Sequence, residues 1–175
     1  MAFNYIDLFA GCGGLSEGFH KNPKYNFLAA VEWEKDPADT LIHRLKTKFN
    51  DKKAASKVLK FDIQRTEELF NGWENDEKYG SNKGLDALIG KKTVDLIIGG
   101  PPCQAYSLAG RVQDKNGMKE DYRNYLFESY IKVVDRYQPK VFVFENVVGL
   151  LSAKPKDIPI TDIIREEFNK HGYAI

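Results

Sequence analysis

Five short apolar runs recur along the chain, separated by longer segments that mix apolar and polar residues. Runs of this length that are rich in aliphatic and aromatic residues predict buried β-strands. They occupy residues 4–9, 27–32, 58–62, 94–100 and 140–146. The last of them, KVFVFEN, is almost continuously apolar, which predicts a strand buried on both faces of a sheet.

Apolar residues also recur at three- and four-residue spacing, which predicts amphipathic helices between the strands. Asp36 and Pro37 are typical of the start of one helix, as its N-cap and first residue. A second helix is predicted over residues 125–137, and a third carries Ile160 to Phe168 and ends at Gly172. Strands that alternate with helices predict an α/β fold with a parallel sheet and right-handed crossovers.

Three segments lie outside this alternation. Residues 71–84 are polar and rich in turn formers, which predicts an insertion on the surface. Residues 104–124 show little apolar periodicity, and an ordered domain seldom carries so long a loop without a use for it. Residues 173–175 could begin a further strand.

The composition narrows the class of protein only slightly. Of 175 residues, 26 are Lys or Arg and 25 are Asp or Glu, giving a net charge of +1, which argues against a wholly basic nucleic-acid binder but leaves room for a local patch. No apolar run approaches the length of a membrane span, and the N-terminal residues lack the basic region of a signal peptide. Cys12, Cys103 and the three histidines show neither a disulfide framework nor metal-ligand spacing. We therefore expect a reduced, cytoplasmic compartment, with no metal and no membrane.

The polar residues that follow the five predicted strands are the main functional signal. These strand ends read FAGCGG, VEWE, FDI, GGPPCQ and FEN. Because the carboxyl ends of parallel strands meet at one edge of a sheet, we expect these residues to form a single site.

The first strand end is a glycine-rich turn. Gly11, Gly13 and Gly14 would allow backbone N–H groups to approach a ligand closely, although a purely structural turn explains them equally well. The dinucleotide fingerprint fails because Ser16 stands at its third glycine position. A ligand without a large phosphate requirement therefore fits better, and a dehydrogenase is disfavoured.

The next two strand ends offer acids and an indole. Glu32 follows Gly14 by 18 residues, near the place where an acid binds ribose hydroxyls, but it could equally cap the next helix. Trp33 could stack on an adenine or belong to the core. Asp62 could accept a hydrogen bond from an adenine amino group or serve as an ordinary turn residue.

The last two strand ends carry candidate catalytic groups. The rigid Gly-Gly-Pro-Pro turn places Cys103 at the edge of the sheet, where a thiolate is a good nucleophile, whereas Cys12 is the better candidate for a core cysteine. Glu145 ends an apolar run, so we expect burial to favour its protonated form, which can donate a proton to a ring nitrogen. A carboxylate satisfied by helix amides or an arginine is the alternative.

Together these motifs resemble the cytosine-C5 DNA methyltransferase family over nearly all of residues 4–152. The pair PPCQ and ENV, with Cys103 and Glu145 42 residues apart, is highly specific, and the blocks FAGCGGLSEGF, VEW, FDI and DYRNYLF stand in the family order. The resemblance implies a Rossmann-like S-adenosylmethionine-dependent methyltransferase fold with a parallel sheet. Residues 1–175 would form the N-terminal portion of the catalytic domain, ending after about five strands, without the target-recognition domain and C-terminal motifs.

The resemblance also implies roles for individual residues. S-adenosylmethionine would lie over the turn formed by Phe9, Ala10, Gly11, Cys12, Gly13 and Gly14. Its ribose would be held by Glu32 and its adenine would meet Trp33, Asp62 and Ile63. The pocket would be closed by Gly100, Pro102 and Leu126.

For catalysis, the resemblance implies a cytosine flipped out of double-stranded DNA. Cys103 would attack C6 of the base, and Glu145 would hold and protonate N3. The segment 104–124 would close over the base, with substrate contacts expected from Gln104, Ser107, Arg111 and Asn146. The protein would be a modification enzyme of a prokaryotic restriction-modification system. An RNA cytosine-C5 methyltransferase and a non-catalytic cofactor-binding fragment are the alternatives.

Overall fold

The computed structural model describes residues 2–102, 126–152 and 158–175. In this part of the chain, five parallel strands form one sheet in the order β3-β2-β1-β6-β7, and two antiparallel strands form a separate hairpin, β4-β5. The strands are β1 (Phe3–Leu8), β2 (Tyr25–Glu32), β3 (Val58–Lys60), β4 (Trp73–Asp76), β5 (Gly80–Asn82), β6 (Leu96–Gly99) and β7 (Val141–Phe144).

Seven α-helices and a 3₁₀ helix at Val148–Ser152 connect the strands within the described ranges. The α-helices are α1 (Glu17–Lys21), α2 (Lys35–Lys48), α3 (Ala54–Lys57), α4 (Thr66–Asn71), α5 (Gly84–Ile89), α6 (Leu126–Tyr137) and α7 (Ile160–Lys170). None of these helices is long and apolar enough to cross a membrane.

The strand order places a topological switch point beside β1. The chain moves outward from β1 to β2 and β3, then crosses to the other side of β1 to form β6 and β7. All four pairings in the sheet are parallel, so the carboxyl ends of the strands share one edge. Open α/β sheets bind ligands at this edge, next to the switch point. The α/β fold and the parallel sheet predicted from the sequence are confirmed.

The core lies on both faces of the sheet because side chains alternate along each strand. On one face, Ile6 and Leu8 of β1 pack with apolar residues of α4, α5, α6 and α7. On the other face, Tyr5 packs with residues of α2 and α3. The buried Tyr130 of α6 donates its hydroxyl to the carbonyl oxygens of Ile97 and Val143, at 3.1 Å each, and so joins α6 to β6 and β7.

The prediction that β7 is buried on both faces is wrong. Val141 is 57% exposed and Val143 is 37% exposed. The alternate side chains, Phe142 and Phe144, face the core, and the ring of Phe142 stacks on Phe168 of α7 at 4.2 Å. An apolar run shows that a strand is hydrophobic, but not whether a second layer covers its other face. In the described residues β7 is an edge strand with one face uncovered.

Three smaller expectations also need correction. Helix α2 begins at Lys35 with Glu34 as its N-cap, two residues before the predicted start. Cys12 is exposed, because the glycine-rich turn runs along the surface instead of entering the core. Residues 173–175 do not form a strand. Instead, the Tyr173 hydroxyl donates to the carbonyl oxygen of Pro139 at 2.7 Å.

The segment 71–84 is an ordered element rather than a simple surface insertion. It contains the β4-β5 hairpin, and Trp73 at its start is buried. The other residues of β4 and β5 are partly or fully exposed, so the polar character read from the sequence is correct for most of the segment. The buried indole is one of the contacts that attach the hairpin to the domain.

Candidate active site

A cavity of about 200 Å³ opens at the carboxyl edge of the sheet, next to the switch point. Its lining residues come from the ends of β1, β2 and β3, from the segment after β6 and from the start of α6. They are Phe9, Val31, Glu32, Trp33, Phe61, Asp62, Ile63, Gly100, Pro102 and Leu126. Four of the five strand ends that the sequence predicted to converge therefore meet at this cavity.

Eight of the thirteen residues predicted to bind a cofactor line this cavity. They are Phe9, Glu32, Trp33, Asp62, Ile63, Gly100, Pro102 and Leu126. The prediction missed Val31 and Phe61, although each stands directly before a predicted residue. An apolar residue immediately before a strand-end acid is the signal that could have found both.

The glycine-rich turn borders the cavity without lining it beyond Phe9. Positive φ angles at Phe9 (55°), Gly11 (53°) and Gly13 (80°) give the turn its shape. A Cβ on Gly13 would lie 2.6 Å from a methyl carbon of Leu41 on α2, so any side chain there would require Leu41 to move. The guanidinium of Arg44, also on α2, donates to the carbonyl oxygen of Cys12. The turn at Ala10 to Gly14 is thus fixed against α2, at the end of β1.

Glu32 links the turn to the start of α2. Its Oε2 accepts a hydrogen bond from the Gly11 N–H at 2.8 Å, and its Oε1 accepts one from the Glu34 N–H at 2.9 Å. Glu32 therefore bonds to the residue that precedes α2 and not to an N–H of the helix itself, and it also lines the cavity. Each carboxylate oxygen can accept a second hydrogen bond, so the same group retains capacity for ligand hydroxyls.

Asp62 likewise combines two roles. Its Oδ1 accepts from the N–H of Gln64 at 2.9 Å, which is the turn interaction considered from the sequence, while the residue also lines the cavity. Trp33 is not part of the core. It is 36% exposed at the rim of the cavity, with the Lys78 ammonium 5.5 Å from its ring centroid.

Glu145 lies directly against the cavity wall. A Cβ added to Gly100 would come within 2.5 Å of its Oε2, and its N–H donates to the Gly99 carbonyl oxygen at 2.9 Å. The expected burial of Glu145 is not observed, because the residue is exposed. The apolar strand ends before it, and the carboxylate lies at the open edge of the sheet.

Asn146 fixes the turn that precedes Cys103. Its Nδ2 donates to the Pro101 carbonyl oxygen at 3.1 Å, and its Oδ1 accepts from the Val147 N–H at 2.8 Å. Cys103, Gln104, Ser107 and Arg111, and with them the whole segment 104–124, lie outside the described residues. Pro102 of the cavity wall is the residue before Cys103 in the chain.

Asp7 is a buried acid that the sequence reasoning did not single out. Neither its two carboxylate oxygens nor the Ser16 hydroxyl has a hydrogen-bond partner within the described ranges. Burial raises the pKa of the Asp7 carboxyl to about 7, and the charge of Glu32 adds to this shift. An acid within the apolar run YIDLF was the available signal.

The parallel sheet, the pocket at its switch point and the glycine-rich turn define a Rossmann-like fold, and comparison with solved structures agrees. A prophage-encoded E. coli protein assigned as a DNA modification methyltransferase matches 97% of this chain and 38% of its own, with a TM-score of 0.63 and 24% identity. DNMT2 of Spodoptera frugiperda covers the same share of this chain and 41% of its own, with a TM-score of 0.56 and 20% identity.

The chain belongs to the C-5 cytosine-specific DNA methylase family, whose model matches residues 3–175. The type II methyltransferase M.Bpa9945I of Bacillus paralicheniformis is 39% identical over 97% of this chain. M.DdeI of Desulfomicrobium norvegicum is also 39% identical, over 98% of it. The chain spans 46% and 34% of the lengths of these two relatives. The family resemblance read from PPCQ and ENV is confirmed.

Proposed function

We propose that the protein carrying this chain is a DNA (cytosine-5-)-methyltransferase that uses S-adenosylmethionine and acts in a prokaryotic restriction-modification system. The observation that carries the proposal is the contact between Gly100 and the Glu145 carboxylate. Gly100 lines the cavity, so the predicted cofactor pocket and the predicted catalytic acid share one wall. Methyl transfer requires the methyl donor and the acceptor base to lie next to each other, and a shared wall between their sites provides this arrangement.

The chemistry of the cavity fits an adenosyl group. Phe61, Ile63 and Trp33 offer apolar and aromatic surface for a purine, and the carboxylate of Glu32 can accept hydrogen bonds from ribose hydroxyls. Among the described lining residues there is no Lys or Arg, which is consistent with a ligand that lacks phosphate. The glycine-rich turn from Phe9 to Gly14 would hold the amino-acid end.

S-adenosylmethionine would supply a methyl group made electrophilic by its sulfonium. The task of this chain is to turn C5 of cytosine into a nucleophile. The Cys103 thiolate would form a bond to C6 while Glu145 delivers a proton to N3, so that the electron pair displaced from the C5–C6 double bond becomes available at C5. After methylation, loss of the C5 proton, departure of the Cys103 sulfur as thiolate and return of the N3 proton to Glu145 would restore the aromatic ring.

The base must leave the duplex for this attack, because C5 and C6 are not accessible within the stack. We propose that segment 104–124 closes over the flipped cytosine, with Gln104, Ser107 and Arg111 as substrate contacts, and that Asn146 holds the preceding turn in place. The proposed partner is double-stranded DNA, and the proposed place of action is the prokaryotic cytoplasm. Much of the base-reading surface would lie in the part of the relatives that this chain does not span.

Two substitutions in the full-length protein test the proposal. Cys103→Ala should abolish transfer of tritiated methyl groups from S-adenosylmethionine to mixed-sequence DNA, because no other group in the proposed mechanism can attack C6. Glu145→Gln should lower the rate by about 100-fold or more, the usual contribution of a positioned general acid.

Glu128→Gln is the matched control, since Glu128 is exposed on α6 and does not line the cavity. It should leave the rate unchanged. Retained methylation in Cys103→Ala would exclude Cys103 as the nucleophile. Incorporation into RNA but not into DNA would exclude the DNA substrate, and no incorporation by the unsubstituted protein into either would exclude the activity.

A further inference from the structure

The β4-β5 hairpin is the ordered element that the proposed chemistry leaves without a role. It begins after Gly72 and ends before Gly84, and both glycines have positive φ angles, 102° and 82°. A Cβ on Gly84 would lie 2.5 Å from the Gly72 nitrogen. The two ends of the hairpin therefore lie in close contact, and this contact fixes the position of the hairpin relative to the domain.

The hairpin supports the aromatic wall of the cavity from behind. The indole of Trp73 stacks on Phe61 with ring centroids 3.8 Å apart and an angle of 19° between the planes. Tyr79 contacts the same phenyl ring at 5.1 Å. Since Phe61 lines the cavity, these two hairpin residues hold part of its wall in place.

A second set of contacts fixes the turn of the hairpin. Arg65 donates to Asp76 Oδ2 at 2.6 Å. The other oxygen of Asp76 accepts from the backbone N–H groups of Lys78 and Tyr79 at 2.9 and 2.8 Å. The backbone of Lys78 is thus held by the domain itself rather than only by the hairpin.

The fixed turn places the side chain of Lys78 at the rim of the cavity. Its ammonium lies 5.5 Å from the ring centroid of Trp33 and 4.9 Å from that of Tyr79. The carboxylates of Glu34 and Asp62 also attract it. A cation over an aromatic face stabilises that orientation of the ring.

We infer that the hairpin is part of the cofactor pocket and that Lys78 is a positioning residue, which holds the Trp33 ring where it closes the adenine end. The inference rests on the proposed S-adenosylmethionine site. It gives the 71–84 segment a function in ligand affinity, one that neither its polar sequence nor the proposed reaction assigns to it.

The test measures binding of S-adenosylhomocysteine to the full-length protein by calorimetry. Lys78→Met keeps the length of the side chain but removes the cation, and should weaken binding about 2- to 5-fold, the range for one cation–π contact at a partly exposed site. The same loss is expected for 5′-methylthioadenosine, which keeps the adenosyl group but lacks the amino acid. Lys78→Arg should restore affinity, because it restores the cation.

Lys83→Met is the matched control, an exposed lysine at the base of the same hairpin, and should bind as the unsubstituted protein does. The KM for DNA and the thermal midpoint should not change in Lys78→Met. If the unsubstituted protein binds no S-adenosylhomocysteine, the proposed cofactor site itself is wrong. If it binds and Lys78→Met binds equally well, the site stands and the role of Lys78 is wrong. If Lys78→Met binds S-adenosylhomocysteine more weakly but is also less stable, and Lys78→Arg does not restore the affinity, then the hairpin has only a structural role.

Discussion

At the scale of single residues, Asp7 is an acidic side chain that is buried in the sheet without a hydrogen-bonding or cationic partner among the described residues. It belongs to the buried central strand β1, and its pKa is raised to about 7 mainly by burial. A carboxyl group in such a place is stable only when it holds a proton, since no charged partner within the described residues compensates for lost hydration.

A pH dependence follows from this burial. The unfolded chain has an ordinary Asp pKa of 3.8, so between about pH 4 and pH 7 the folded protein holds a proton that the unfolded chain has lost. The stabilisation is complete below the lower pKa and disappears as the pH rises through the higher one. Asp7→Asn should remove this loss and raise the thermal midpoint at pH 8 more than at pH 5.

Thermal unfolding of the full-length protein at the two pH values checks this prediction. A gain of roughly 2–4 °C is expected for each kcal/mol in a domain of this size. Asp36→Asn provides the control, because Asp36 is exposed in the first turn of α2 and should show no such dependence. Equal midpoint changes at both pH values would mean that Asp7 is ionised in the folded protein.

At the scale of secondary-structure elements, β6 ends in Gly99 and is followed by Gly100, and these two glycines have different neighbours. A Cβ on Gly99 would lie 2.6 Å from the Leu8 carbonyl oxygen and 2.9 Å from the ring of Tyr130. A Cβ on Gly100 would meet the end of the flexible Glu145 side chain. The first contact is with the framework of the sheet, whereas the second is with a group that can move.

The paired alanine substitutions should therefore separate stability from activity. Gly99→Ala should destabilise the protein by about 1–3 kcal/mol, the usual cost of overpacking, because β6 must move away from β1. Gly100→Ala should keep its thermal midpoint but lose about 100-fold in methyl transfer, since Glu145 is displaced from the wall.

Gly18→Ala is the control for both substitutions, because a Cβ there meets nothing within 4 Å. Thermal unfolding and tritium incorporation report the two properties separately. Full activity in Gly100→Ala would show that the contact between Gly100 and Glu145 does not matter for the reaction.

The same elements show how far the sequence could be used for prediction. Strands such as β1, β2 and β6 and helix α6 have strong periodic patterns, and the strand ends named most of the cavity wall, from Phe9 to Leu126. The hairpin escaped prediction because one indole, Trp73, holds an otherwise polar segment in place. Exposure at Cys12 and Glu145 depends on what packs around a turn, which a local pattern does not record.

At the scale of the whole molecule, one apolar face of the edge strand β7 is not covered by any other described element. Val141 and Val143 on this edge strand are exposed, and Val147, Val148 and Leu151 just after it are exposed as well. Exposed apolar residues that lie together mark a surface that normally packs against something. The chain spans less than half of the two relatives described above, so we expect further polypeptide to cover this face.

One substitution tests this expectation in two settings. Val143→Lys should lower the thermal midpoint of the full-length protein, because it places a charge in a covered face. In the 175-residue chain alone it should cause no such loss and should increase solubility, because the face is open there. Equal effects in both settings would show that no further polypeptide packs on β7.

We also expect the 175-residue chain alone not to methylate DNA.

The central position of β1 has a consequence for how the chain is made. β1 emerges from the ribosome first, but its partner β6 follows about 90 residues later. At the usual 5–20 residues per second, one side of β1 waits roughly 5–20 s for that partner. Pairing across so long a separation is also intrinsically slow. β1 is thus synthesised before the other strands of its sheet, but one of its apolar edges stays open until the chain has reached β6.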